Sequence, residues 1–207
     1  MSSRRRTEVV AGLIVQRPRA NVPGSTDTEL MEQIRAGDSA ALRLLMERYW
    51  ANLVAYGRTL LGDSDEAEDV VQEAFVRVWR HRLVWVASGS VSGYLYRITR
   101  NLAFNRDRDN QARRRRSAGE ALSDLHVQRP PTPEDELATT IAFNEVALAI
   151  EQLPPRRREI FVLSRFHALT YSEIAQAMGI SEQTVANQMS SALADLRASL
   201  SKLIGLE

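Results

Sequence analysis

The stretch Tyr94-Leu95-Tyr96-Arg97-Ile98-Thr99-Arg100-Asn101-Leu102-Ala103-Phe104-Asn105-Arg106-Asp107-Arg108 mixes three kinds of chemistry. Wound as a helix with Ile98 and Leu102 inward, it turns Arg97, Arg100, Asn101, Phe104, Asn105 and Arg108 outward. Cations suit phosphate, amides suit base edges, and a ring can stack on an unpaired base for ~1–3 kcal/mol. A solvated helix face with one exposed Phe has the same pattern. Tyr94, Tyr96 and Phe104 are equally candidates for a core, where aromatics at helical spacing usually lie.

A second constellation spans Thr170 to Leu196. Thr170-Tyr171-Ser172-Glu173 reads as a capping box, Ile174, Ala177 and Met178 follow, and Gly179 permits a sharp turn. Ser181 then caps a longer helix with Val185, Met189, Ala192, Leu193, Leu196, Leu200 and Leu203 inward. Two crossing helices with a short glycine turn are the plan of a helix-turn-helix. Its outward positions Glu182, Gln183, Ala186, Asn187, Gln188 and Ser190 are placed to enter a major groove, where Asn and Gln match adenine edges. A purely structural helical hairpin would share the pattern.

A third set, Asp65, Glu66, Asp69, Gln72, Glu73 and Arg77, forms the mostly acidic face of one helix. Such a face attracts a basic protein surface, or it is solvated. Near the helix start, Glu66 and Asp69 also have a local role with the helix dipole.

The elements that must position these residues read as helices nearly throughout, with no alternating strand pattern. Thr26 to Glu29 is a capping box before Leu30 and Ile34, and Gly37-Asp38 breaks that helix. Leu42, Leu45, Tyr49, Leu53, Tyr56 and Leu60 form a long amphipathic helix, stopped by Gly62-Asp63-Ser64. Ala67, Val70, Val71, Ala74, Phe75, Val78 and Trp79 make the next stripe, and 83–93 reads as a loop. Leu137, Ile141, Ala142, Glu145, Leu148 and Leu153 are roughly helical in spacing, and Ile160, Phe161 and Leu163 mark a short buried helix beyond Pro154-Pro155. The expectation is an all-α protein of two small helical domains joined by a flexible linker. Residues 1–25 form a basic, disordered arm, 26–112 the first domain, 113–135 the linker and 136–207 the second domain.

Charge sharpens this division. The net charge is +1, but residues 27–80 carry −5 and residues 81–116 carry +7. One stretch suits a basic protein surface and the other a polyanion. There is no cysteine and there are three scattered histidines, which argues against disulfide, thiolate and dedicated metal sites. No Ser/His/Asp set, glycine-rich phosphate loop or cofactor motif is visible, so an enzyme is not expected. No apolar run approaches the ~20 residues of a membrane span.

Three segments then match a known family together and in order. They are Glu66-Ala67-Glu68-Asp69-Val70-Val71-Gln72-Glu73-Ala74-Phe75-Val76-Arg77-Val78-Trp79, the Tyr-Leu-Tyr-Arg-Ile-x-Arg-Asn run at 94–101, and Leu169 to Ala175 followed by Gly179-Ile180-Ser181 and Thr184-Val185. They resemble bacterial sigma-70 family initiation factors of the extracytoplasmic-function (ECF) type. The resemblance implies a sigma region 2 bundle at 26–112 and a sigma region 4 helix-turn-helix at 136–207. It implies that Glu66, Asp69, Gln72 and Glu73 dock on the β′ clamp helices of core RNA polymerase. Arg97, Arg100, Asn101, Phe104, Asn105 and Arg108 would capture the melted −10 element, with the 82–93 loop. Thr170, Tyr171, Glu182, Gln183, Thr184, Asn187, Gln188, Ser190 and Ser191 would read the −35 duplex, while the second domain also contacts the β flap.

Further implied partners are promoter DNA and an anti-sigma factor, with Ser164-Arg165-Phe166 and Asn187-Gln188-Met189 resembling members paired with membrane-bound regulators. The implied setting is the bacterial cytoplasm, with no cofactor and no metal. A helix-turn-helix regulator of the response-regulator output type is the competing expectation. It shares the last motif but needs a receiver domain that 27–110 does not resemble. Two departures stand out. Residues 182–196 hold no Lys or Arg, and position 93 is Gly where the family often has Trp close by, with Trp85 the one nearby substitute.

Overall fold

The computed structural model describes residues 25–86, 89–117 and 137–204. The expected arm, apart from Ser25, residues 118–135 of the expected linker and residue 136 of the expected second domain lie outside the described residues. Eight α-helices occur among the described residues: α1 (Asp27–Arg35), α2 (Ser39–Leu61), α3 (Ser64–Arg80), α4 (Val91–Ser117), α5 (Leu137–Gln152), α6 (Pro155–Arg165), α7 (Tyr171–Met178) and α8 (Glu182–Ile204). A 3-10 turn, Arg82–Val84, precedes α4. No described helix is long and apolar enough to cross a membrane.

Local chemistry sets the helix ends. Thr26 and Glu29 close a reciprocal capping box on α1. Asp38 accepts from the Ala40 and Ala41 amides to start α2, and Asp63 accepts from Glu66 to start α3. Gly62 ends α2 in the left-handed conformation at φ 74°. The α2–α3 crossing is close because residue 57 is glycine: a Cβ there would stand 3.1 Å from the Ala67 Cβ. Val70 and Ala74 of α3 then pack on Leu102 and Ala103 of α4. That contact fixes the rotation of α4 and leaves Asn101, Phe104 and Asn105 outside.

Several expectations are corrected. The 83–93 segment is not a continuous loop, since it contains the end of the 3-10 turn and the first residues of α4. α4 also runs to Ser117, so Arg113 to Arg116 belong to the helix and not to the linker. Arginine is a good helix former, and cations are favoured at a helix C-terminus. Trp85 is buried in the core, so it offers no stand-in for an exposed ring. Among the described side chains at the end of α5, Ala149 and Ile150 face the core together with Leu153 just beyond the helix, while Leu148 is 38% exposed. Ala147 and Ala149 carry part of that buried stripe, and neither belongs to the expected set.

The two expected helical domains share an interface. One continuous buried cluster runs from Leu45, Leu53, Tyr56, Leu95 and Tyr96 into Ile160, Leu163, Leu169, Ile174 and Val185. The second half therefore packs on the first, with α7 lying against α4. A smaller cluster, Ala149, Ile150 and Leu153 with Ala192 and Leu196, ties α5 to α8.

Candidate nucleic-acid and polymerase interface

The outer face of α4 carries the residues that spacing assigned to it, in differing states. Arg97, Asn101, Asn105 and Arg108 are exposed, and Phe104 is 45% exposed. Tyr96 is fully buried and Tyr94 half-buried, so these two rings belong to the packing. Arg100 differs from its neighbours. Its side chain is 22% exposed and clasps Glu159 of α6 with two bonds, Nε to Oε1 at 2.7 Å and a terminal nitrogen to Oε2 at 3.2 Å. The guanidinium also lies 4.5 Å above the centre of the Phe104 ring.

Glu159 takes a further bond, 2.6 Å, from the Tyr56 hydroxyl. Burial first, and the Glu159 carboxylate second, hold that hydroxyl well above the usual phenol range, so it donates. The carboxylate is thus held by a cation and a phenol across the two halves.

The N-terminus of α4 is held by α7. Ser90 and Ser92 both donate to the Glu173 carboxylate, Ser90 at 2.7 Å. The Gln176 amide pairs with the backbone of residue 90 in both directions, accepting from its N–H at 3.0 Å and donating to its C=O at 3.1 Å. Burial raises the affinity of Glu173 for a proton. Bonds from Ser92, the Thr170 amide, Ser90 and the Thr170 hydroxyl outweigh it, and the carboxyl sits below its ordinary range. Beneath this layer, the Tyr96 hydroxyl and His167 Nδ1 pair at 3.0 Å.

On α3, Asp65, Glu68, Asp69 and Gln72 are exposed and line a shallow groove with Met46 and Trp50 of α2. Glu73 is engaged by Arg77 at 3.0 Å one turn on, and Asp69 lies 3.8 Å from Arg106. Glu66 does not line this groove, and the Asn110 amide reaches both its oxygens at 2.8 and 3.0 Å. The groove thus combines negative charge with an apolar floor.

The α7–α8 pair has helix-turn-helix geometry. Thr170 and Glu173 cap α7 reciprocally, Gly179 ends it at φ 66°, and the Ser181 hydroxyl accepts from the Thr184 amide. Glu182, Gln183, Asn187 and Ser190 are exposed, as are Thr170 and Tyr171. Thr184, Gln188 and Ser191 are half-buried. Gln183 donates to Asn187 at 3.0 Å, so the two amides present themselves as a pair.

Sequence reasoning missed the residues that join the halves: Ser90, Ser92, Glu159, His167 and Gln176. It gave Glu173 a capping role only. Glu159 sits beside Ile160 in a charge-rich helix start, and nothing in its spacing separates it from a solvated acid. The available signals were Gly93, a glycine inside a helix, and the polar Ser-Gly-Ser run before it.

An all-helical chain with an acidic groove, a cation–amide–aromatic helix and a helix-turn-helix defines a class of nucleic-acid-associated protein. Family models narrow it: Sigma-70 region 2 matches residues 45–114, and Sigma-70 region 4 matches residues 143–196. The chain is 30% identical over 169 residues to the ECF RNA polymerase sigma factor SigL of Mycobacterium tuberculosis, across 81% of this chain and 93% of SigL. Its fold is similar to that of CnrH, solved in complex with the cytosolic domain of CnrY. That likeness has a TM-score of 0.61 at 23% identity, across 86% of this chain and 99% of CnrH. It is also similar in fold to RpoE of Bartonella quintana, solved with the anti-sigma factor NepR. There the TM-score is 0.57 at 20% identity, across 76% of this chain and 95% of RpoE. The chain belongs to the ECF sigma factors of the sigma-70 family.

Proposed function

We propose that this chain confers promoter choice on core RNA polymerase as an ECF sigma factor, through the residues assigned above. Residues 26–112 form the polymerase- and −10-binding module and 136–207 the −35-binding module. Asp69 and Gln72 of the acidic groove bind the β′ clamp helices together with Glu66 and Glu73 of the same helix. Arg97, Arg100, Asn101, Phe104, Asn105 and Arg108 hold the separated −10 strand. Thr170, Tyr171 and the start of α8, from Glu182 to Ser191, read the −35 duplex. The protein works in the bacterial cytoplasm under an anti-sigma factor, and it breaks no covalent bond.

The observation that carries this reading is the exposure of Asn101, Phe104 and Asn105 on one face of α4, a turn or less from Arg97 and Arg108. Amides and a ring exposed among cations suit unpaired bases better than a closed duplex. Strand opening costs a few kcal/mol per unstacked step, and base capture offsets it. The α8 face has exposed amides but no exposed cation between 182 and 196, so it offers base contacts with little phosphate attraction. We expect weak −35 binding by the chain alone and dependence on polymerase for affinity.

The test is promoter opening by core polymerase loaded with Asn101→Ala/Asn105→Ala. Run-off transcription on genomic DNA first locates a promoter. Permanganate reactivity of its thymines should fall about tenfold or more, with closed-complex binding changed less. Unchanged melting would remove these two residues from the reading.

A further inference from the structure

The groove between α2 and α3 has a chemical complement elsewhere in the chain. Its floor is apolar, Met46 and Trp50, and its rim is acidic, Asp65, Glu68 and Asp69. Asp69 lies 3.8 Å from Arg106, while Asp65 and Glu68 form no ion pair among the described residues. Such a surface fits a segment that carries arginines beside large apolar side chains. Its cations would offset the rim, and its aliphatic groups would leave water on the floor.

The chain supplies one such segment. Residues 1–20 carry five arginines and one acid, a net +4. Arg4, Arg5 and Arg6 precede an apolar run centred on Val10, Leu13 and Ile14, and Arg17 and Arg19 follow it. The structure shows where this segment joins the fold. The Ser25 carbonyl accepts from Arg48 at 3.1 Å, and the Asp27 carboxylate accepts from both Arg48 and the Tyr49 hydroxyl. Ser25 is thus fastened to the middle of α2, at a residue midway in sequence between Met46 and Trp50 of the groove. Two helical residues subtend about 200°, so the groove lies round the far side of a helix about 10–12 Å across. Half that circumference, roughly 15–20 Å, takes about six extended residues at ~3.3 Å each. Arg19 stands six positions before Ser25, so it and the residues preceding it reach the groove. A nearer acidic hollow on α1, lined by Ser25, Glu29, Glu32, Gln33 and Ala36, offers no large apolar side chain.

We infer that residues 4–19 occupy the acidic groove as a ligand within the same chain and compete there with polymerase. This rests on the reading of Asp69 and Gln72 as polymerase contacts given above. Tethering makes a weak contact sufficient. A short tether holds its ligand at an effective concentration of about 1 mM, so an arm with a Kd of ~0.1 mM is in place about nine times in ten. Polymerase then binds about tenfold more weakly than it would to the vacant groove.

The chain has no cysteine, so Ser3→Cys accepts a single nitroxide label beside Arg4. In the full-length chain that label should broaden the amide NMR signals of Asp65, Glu68 and Gln72 and the indole signal of Trp50. Replacing Arg4, Arg5 and Arg6 by Ser should restore those signals. The same triple variant, unlabelled, should bind core polymerase about tenfold more tightly at low salt. That gain should shrink at 1 M salt, where the screening length is ~3 Å. Broadening that is absent, or that survives the triple change, overturns the inference. Unchanged polymerase affinity in the triple variant overturns it too, and weaker promoter binding by that variant would make the arm a DNA contact instead. If Asp69→Arg with Glu73→Arg leaves polymerase binding unchanged, the reading of those acids as polymerase contacts fails instead. The label alone then decides whether the arm lies in the groove.

Discussion

His167 is a titratable group in the interior. It is fully buried among Tyr56 and Tyr96, with ring centres 5.8 and 5.5 Å away, and its Nε2 has no partner. Burial lowers its pKa from 6.5 to about 4. The folded imidazole is therefore neutral where the unfolded one takes up a proton. The His167 contribution to stability is nearly level above about pH 6.5 and falls as the pH drops toward 4, because the unfolded chain binds more protons in that window. Between pH 7 and pH 5 the loss attributable to His167 is about 2 kcal/mol. Urea melts at the two pH values should show it, and His167→Gln, which does not titrate, should flatten it. An equal slope in the variant would assign the acid sensitivity elsewhere. Glu173 acts in the same direction only lower down, since its depressed pKa preserves its contribution until the pH falls below the ordinary carboxylate range.

At the scale of elements, the turn between α7 and α8 depends on one backbone conformation. Gly179 adopts φ 66° with nothing within 4 Å of a would-be Cβ, so a side chain there costs only backbone strain. Gly179→Ala should lower stability by roughly 1 kcal/mol, a drop in Tm of about 2–8 °C by thermal melt. An unchanged Tm would show that the turn tolerates a side chain freely. Gly93 is the opposite case, with ordinary helical backbone and no room.

This contrast explains what was legible beforehand. Caps and turns are local, so Thr26, Asp63, Thr170, Gly179 and Ser181 could be placed from residue type alone. The outward set on α4 followed from period 3.6 once Ile98 and Leu102 were taken as inward. The start of α4 was misjudged because Val91-Ser92-Gly93 has loop-like composition and is stabilised by Glu173 and Gln176, some eighty positions away in sequence. The Arg100–Glu159 pair was invisible for the same reason: a bond between distant residues leaves no periodicity in either segment.

For the molecule as a whole, the packing of the halves treats the two charged faces differently. The second half covers part of the basic α4 face and leaves the acidic α3 groove open. Polymerase affinity should therefore respond to the α3 charge. Asp69→Arg with Glu73→Arg changes the local charge by four units and places new arginines beside Arg106 and Arg77, the present neighbours of those acids. Core binding should weaken by about tenfold or more at low salt. The difference should shrink as ionic strength rises past ~0.15 M, where exposed charges more than ~8 Å apart are screened. Glu66→Gln should weaken it less, because Asn110 already holds that carboxylate. A competition assay for core polymerase at two salt concentrations, with helix content matched by circular dichroism, measures all three. Full retention of binding by the double variant would mean that the acidic groove faces solvent and polymerase grips another surface.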